Sequence, residues 1–88
     1  GTDYFRHAFT QQYNISPMQY LNTIRIENAK LLLIKTLDSI TSISLQVGFN
    51  NPAYFSEIFK KIEGMTPKQY RTLKQQTLPP LEKKVNNK

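Results

Sequence analysis

Two stretches of this chain repeat each other at a constant offset of 50 residues. Tyr4-Phe5-x-x-x-Phe9 followed by Ser16-Pro17-x-Gln19-Tyr20 returns as Tyr54-Phe55-x-x-x-Phe59 followed by Thr66-Pro67-x-Gln69-Tyr70. In a chain of 88 residues this self-similarity means one doubled supersecondary unit, and the fold must hold two copies of the same local structure. The repeat also sorts positions. Phe5 and Phe9, like Phe55 and Phe59, stand four apart and share one helix face, which marks them as packing residues. The positions that differ most are Asp3, Arg6, His7 and Thr10 against Ala53, Ser56, Glu57 and Lys60. Their i, i+3, i+4, i+7 spacing makes one stripe that points away from the phenylalanines. One packing face with two different outward faces suits two readers of two different sequences. A pair of amphipathic helices with drifting solvated faces would leave the same trace.

Start and stop signals divide the chain into helices. Ser16-Pro17-Met18-Gln19 offers an N-cap serine, proline at the first helical position and glutamine at the third, and Thr66-Pro67-Lys68-Gln69 repeats the device. From Pro17, the apolar positions Tyr20, Leu21, Ile24, Ala29, Leu32 and Leu33 follow helical spacing without interior Gly or Pro, which predicts one long helix to about Thr36. Ser39 caps a short helix through Val47, and Gly48 supplies its stop. Asn51 before Pro52 starts another helix, to about Ile62, where Gly64 and its counterpart Asn14 suit a left-handed C-cap.

Composition narrows the class. No apolar run is long enough to span a bilayer and no signal peptide is visible, so a single cytoplasmic domain is expected. Cysteine is absent, which removes disulfides and thiolate metal sites. The net charge of +6 favours a polyanionic partner. It lies mostly behind residue 38, and partly in residues 77–88, which have almost nothing to bury and read as a disordered basic tail. With one histidine, no cysteine, no glycine-rich phosphate loop and no acid pair, catalysis has nothing to use. Neither cofactor nor metal is expected: His7 stands four residues after Asp3, but no third ligand is near in sequence. Tyr4, Tyr20, Tyr54 and Tyr70 recur at equivalent positions and read as scaffold rather than base-stacking residues.

A short helix, a tight turn at Gly48-Phe49 and a second helix with a polar outer stripe make a helix-turn-helix, whose second helix fits the major groove. The segment Gly48-Phe49-Asn50-Asn51-Pro52-x-Tyr54-Phe55-Ser56-x-x-Phe59-Lys60-Lys61-x-x-Gly64-Met65-Thr66-Pro67-x-x-Tyr70-Arg71 resembles the signature of AraC/XylS-type transcription regulators. Arg25-Ile26-Glu27-Asn28-Ala29-Lys30-Leu31-Leu32 resembles that family's linker helix, and together the matches cover nearly all of residues 2 to 75.

The resemblance implies an all-α, homeodomain-like domain over residues 1–76. Residues 1–15 would form the recognition helix of a first unit, residues 16–36 the linker helix, and residues 39–76 the second helix-turn-helix with its closing helix. Carried over by position, the base-reading residues are Asp3, Arg6 and His7, then Ala53, Ser56 and Glu57. Phosphate contacts fall to Thr10, Ser39, Thr41, Asn51, Lys60 and Lys61. Glu57 departs from the basic residue many relatives carry there, and Ser44 stands where alanine is usual; a local hydroxyl contact is expected of it. The implied partner is double-stranded promoter or operator DNA, read with sequence specificity by the carboxy-terminal module of a bacterial regulator. RNA polymerase is admitted as a second partner, an upstream sensory domain is implied, and no membrane is involved. The competing class is a helical protein-interaction module whose basic tail meets an acidic partner. The counterparts of Phe49 and of the helix after Ser39 would fall before Gly1, which leads to the expectation that the first unit is incomplete, with Phe5 and Phe9 less covered than their equivalents.

Overall fold

The computed structural model describes residues 2–76. They form five helices and no strand: α1 (Thr2–Tyr13), α2 (Pro17–Lys35), α3 (Ile40–Gln46), α4 (Pro52–Glu63) and α5 (Pro67–Gln75). The fold is all-helical, and residues 77–88, the expected tail, lie outside the described residues.

The predicted caps form in both repeats with nearly superposable geometry. The Ser16 amide donates to Gln19 Oε1 at 2.9 Å while the Gln19 amide donates to Ser16 Oγ at 3.1 Å. Thr66 and Gln69 exchange the same two bonds at 2.9 and 3.1 Å. Each box satisfies two amides that a helix start leaves without intrahelical partners. The stops match as well. Asn14 has φ 64° and Gly64 φ 83°, and their amides close onto the carbonyls of Thr10 and Lys60 at 2.7 and 2.8 Å. Asparagine tolerates this left-handed conformation better than most residues with a side chain, which explains its place opposite glycine.

The aromatic packing repeats too. Phe5 and Phe9 have ring centroids 5.8 Å apart, as do Phe55 and Phe59, and Phe9–Tyr20 at 5.5 Å mirrors Phe59–Tyr70 at 5.6 Å. Burial does not repeat. The core is made by Ile26, Ala29 and Leu33 of α2, Ile43 of α3, Phe49 of the turn after it, Phe55 and Phe59 of α4, and Tyr70 of α5. Phe55 is fully buried whereas Phe5 is 56% exposed. The reason is local: α3 and Phe49 cover Phe55, and no element among the described residues covers Phe5 in that way. For the same reason Tyr20, Leu21 and Ile24, the apolar positions in the first half of α2, keep 37–46% of their surface exposed. Of the four repeated tyrosines expected as scaffold, only Tyr70 is buried, and Tyr4 is mostly exposed.

Two contacts lock α2 against the second unit. Arg71 on α5 donates from Nε to the Leu33 carbonyl at 3.0 Å and from Nη2 to the Thr36 carbonyl at 3.2 Å, so a cation ends α2 where its unpaired carbonyls and dipole favour one. Lys30 Nζ lies 3.0 Å from Glu27 Oε2 and 3.2 Å from Glu63 Oε2, tying the middle of α2 to the end of α4. At the turn, Gly48 has φ 111°, and a Cβ there would stand 2.9 Å from Arg25 Nε. Arg25 itself lies over the Phe49 ring, 5.4 Å from its centroid. Gly48 thus serves both a backbone conformation and the approach of α2 to the turn. Ser44 is fully buried at the helix pair and donates its hydroxyl to the Thr41 carbonyl at 2.7 Å, the local contact expected of it.

Candidate nucleic-acid interface

α3, the Gly48-Phe49 turn and α4 build a helix-turn-helix whose second helix is anchored by its buried phenylalanines. At 3.6 residues per turn, Ala53, Ser56, Glu57 and Lys60 fall within an arc of about 100° on α4, facing away from Phe55 and Phe59. Ala53, Glu57 and Lys60 are exposed and Ser56 is half-buried. On α1, Asp3, Arg6, His7 and Thr10 form the equivalent arc, and all four are exposed. Each unit therefore offers an outward stripe on a helix held from behind by aromatic rings.

The structure separates two residues that adjoin in sequence. Lys60 lies within the α4 stripe, whereas Lys61 sits about 90° from its centre. It lines a groove between α4 and the first half of α2. The polar groups expected at phosphate differ in what they have left to offer. Asn51 Oδ1 accepts from the amides of Ala53 and Tyr54 at 2.8 and 3.2 Å, so those amides are occupied and the donor left is Asn51 Nδ2. Ser39 Oγ accepts from the Ser42 amide at 3.0 Å and keeps its hydroxyl proton for another acceptor. Thr41 is exposed beside it. Thr10 returns its hydroxyl proton to the Arg6 carbonyl at 2.9 Å, a contact within α1 itself. Asp3 and His7 share α1, but among the described residues no group of three or more potential metal ligands gathers.

Several organising residues escape reading from sequence. Arg71 reaches carbonyls 38 and 35 positions away, and Lys30 meets Glu63 across two helices. Arg71 belongs to the recognised signature, yet nothing in its neighbourhood says that it caps α2. Asn22, nearly fully buried on α2, carries an Oδ1 with no hydrogen-bond partner. No sequence signal singles it out, because the repeat ends at Tyr20 and Tyr70, before this position.

Among the described residues no helix is long and apolar enough to cross a membrane. A helix-turn-helix domain family matches residues 1–73. The chain is 41% identical over 71 residues to YisR, an uncharacterized HTH-type transcriptional regulator of Bacillus subtilis, a match that takes in 81% of this chain and 25% of that protein. It spans only a quarter of this relative's length. The C-terminal domain of the two-component response regulator yesN from Fusobacterium nucleatum has a similar structure, with TM-score 0.77 and 41% identity over 81% of this chain and 69% of that one. The DNA-binding domain of the global transcriptional factor AdpA, solved in complex with a target DNA, is similar at TM-score 0.83 and 25% identity, over 90% of this chain and 71% of that one. With these relatives, the repeated anchoring of α1 and α4 and a family match over almost all the described residues, the chain belongs to the AraC-type helix-turn-helix domain family.

Proposed function

We propose that this chain binds double-stranded DNA with sequence specificity, as the DNA-reading module of a bacterial transcriptional regulator working in the cytoplasm. The observation that carries the reading is the repeat itself: two helices share one aromatic anchoring geometry and present unlike side chains outward, joined by one continuous helix. The nineteen residues of α2 rise about 28 Å, close to the roughly 34 Å repeat of duplex DNA, so both helices suit successive major-groove segments on one face.

The side chains assign different work to the two helices. Arg6 suits bidentate donation to guanine O6 and N7, flanked by Asp3 and His7. On α4, Glu57 accepts from cytosine N4, Ser56 offers a hydroxyl, and the Ala53 methyl suits the thymine methyl. Lys60, with Asn51 Nδ2 and the hydroxyls of Ser39 and Thr41, positions α4 on phosphate without reading sequence. Titration against duplexes of mixed sequence tests the proposal. A selected duplex is expected to bind about a thousandfold tighter than random sequence at physiological salt. Equal affinity for all duplexes would overturn sequence specificity, and indifference to DNA would return the chain to the class of protein-interaction modules.

A further inference from the structure

The groove beside Lys61 is built differently from the DNA-facing stripes. It has a volume of about 230 Å³ and runs between the first half of α2 and the inner flank of α4. Ile15, Ile58 and Ile62 supply apolar walls. Its polar lining is partly committed, because Gln19 Oε1 accepts from the Ser16 amide and the Thr23 hydroxyl donates to the Gln19 carbonyl. Two groups are not. Asn22 is only 6% exposed, yet its Oδ1 has no hydrogen-bond donor. Lys61, exposed at the rim, forms no ion pair among the described residues. Among the described residues no acidic side chain lines the groove.

A buried amide oxygen without a donor costs roughly as much as a lost hydrogen bond, so such groups in folded proteins are met by water or a ligand. We propose that this groove binds a small organic anion that carries a hydrogen-bond donor and a short apolar body, the chemistry of a hydroxycarboxylic acid. Its hydroxyl donates to Asn22 Oδ1, its carboxylate pairs with Lys61, and its alkyl part lies against the three isoleucines. The occupant bridges the helix that joins the units and the recognition helix of the second, without touching the stripe of either.

The experiment uses the isotopically labelled 88-residue chain and no DNA, so its result stands independently of DNA binding. The chain is titrated by NMR with 3-hydroxyhexanoate, hexanoate and 1,3-hexanediol. The hydroxy acid is expected to shift the Asn22 side-chain amide and the backbone amides of Ile15, Ile58 and Ile62 saturably, with a Kd on the order of 1 mM. Hexanoate, which lacks the donor, and the diol, which lacks the charge, should each bind about tenfold more weakly. Asn22→Leu should erase the preference for hydroxy acid over hexanoate, and Lys61→Met the preference for acid over diol. If Asn22→Leu fails to fold, Asn22→Ala, which likewise carries no acceptor, makes the same comparison. Absence of saturable shifts, equal affinity for all three compounds, or a fixed water at Asn22 that none of them displaces would overturn the proposal.

Discussion

Lys60 and Lys61 are adjacent in sequence and about 100° apart on the helix, and this turn of one residue divides the roles proposed for them. Lys60 shares the stripe with Ala53, Ser56 and Glu57, the face proposed to meet DNA, where an ammonium would pair with phosphate. Lys61 faces the cleft toward α2. Each lysine that neutralises a phosphate releases counterion, so Lys60→Ala is expected to lower the slope of log affinity against log salt by about 0.9. Lys61→Ala should leave it unchanged. The comparison is made by titrating one duplex at several salt concentrations, and a lowered slope in both variants would place both lysines on DNA. At this scale the sequence shows residue types and helical phase, and therefore the stripes. It does not show Asn22 as a buried amide without a donor, because that depends on how α4 lies over α2.

The elements themselves were legible, and the reason is locality. Capping boxes, proline starts and left-handed stops act over three or four residues, so Ser16, Thr66, Asn14 and Gly64 announce their helices without knowledge of the fold. What joins the elements was not legible, since Arg71 must travel 38 positions to reach Leu33. Nor was the unequal burial of equal residues. Phe55→Ala or Phe59→Ala is expected to cost about 3–5 kcal/mol by leaving a cavity under α4, while Phe5→Ala, half-exposed already, should cost under about 1.5 kcal/mol. Denaturant midpoints measure the difference, and equal losses at Phe5 and Phe55 would mean that α1 is covered as well as α4. The tie between α2 and α4 has its own signature. Glu27 chiefly, and then Glu63, hold the Lys30 ammonium above its ordinary pKa of 10.5 against the opposing effect of burial. Because the folded value is raised, this contribution is complete below 10.5 and fades as pH climbs through the higher folded value. Glu63→Gln should lower stability at neutral pH by less than about 1 kcal/mol and flatten the alkaline decline of the unfolding midpoint. An identical alkaline decline in both proteins would show that Lys30 and Glu63 do not act together.

For the whole molecule, the proposed reading of DNA falls to two helices on one rod that are held unequally well. α4 is held by α3, α2 and α5, with Phe55 and Phe59 fully buried. α1 rests on α2 through rings that remain partly open to solvent. Arg6 is suited to guanine, worth about 1–3 kcal/mol of discrimination, but fixing a loosely held backbone residue costs roughly 1–2 kcal/mol, so ordering even two or three residues of α1 offsets that gain. The second unit should therefore dominate. Scrambling the DNA segment under α4 is expected to reduce binding to the non-specific level, while scrambling the segment under α1 should cost less than about tenfold. The rod adds a further constraint. Five base pairs inserted between the segments turn the first about half a helical turn away, and ten restore its face but move it about 34 Å further along. A continuous α2 of about 28 Å can follow neither, so both insertions should lose only what scrambling the α1 segment loses. Recovery at ten base pairs would mean that the units move independently and that α2 bends. A larger loss from the α1 segment than from the α4 segment would reverse the ranking, and with it the inference that burial behind a recognition helix sets how well that helix reads.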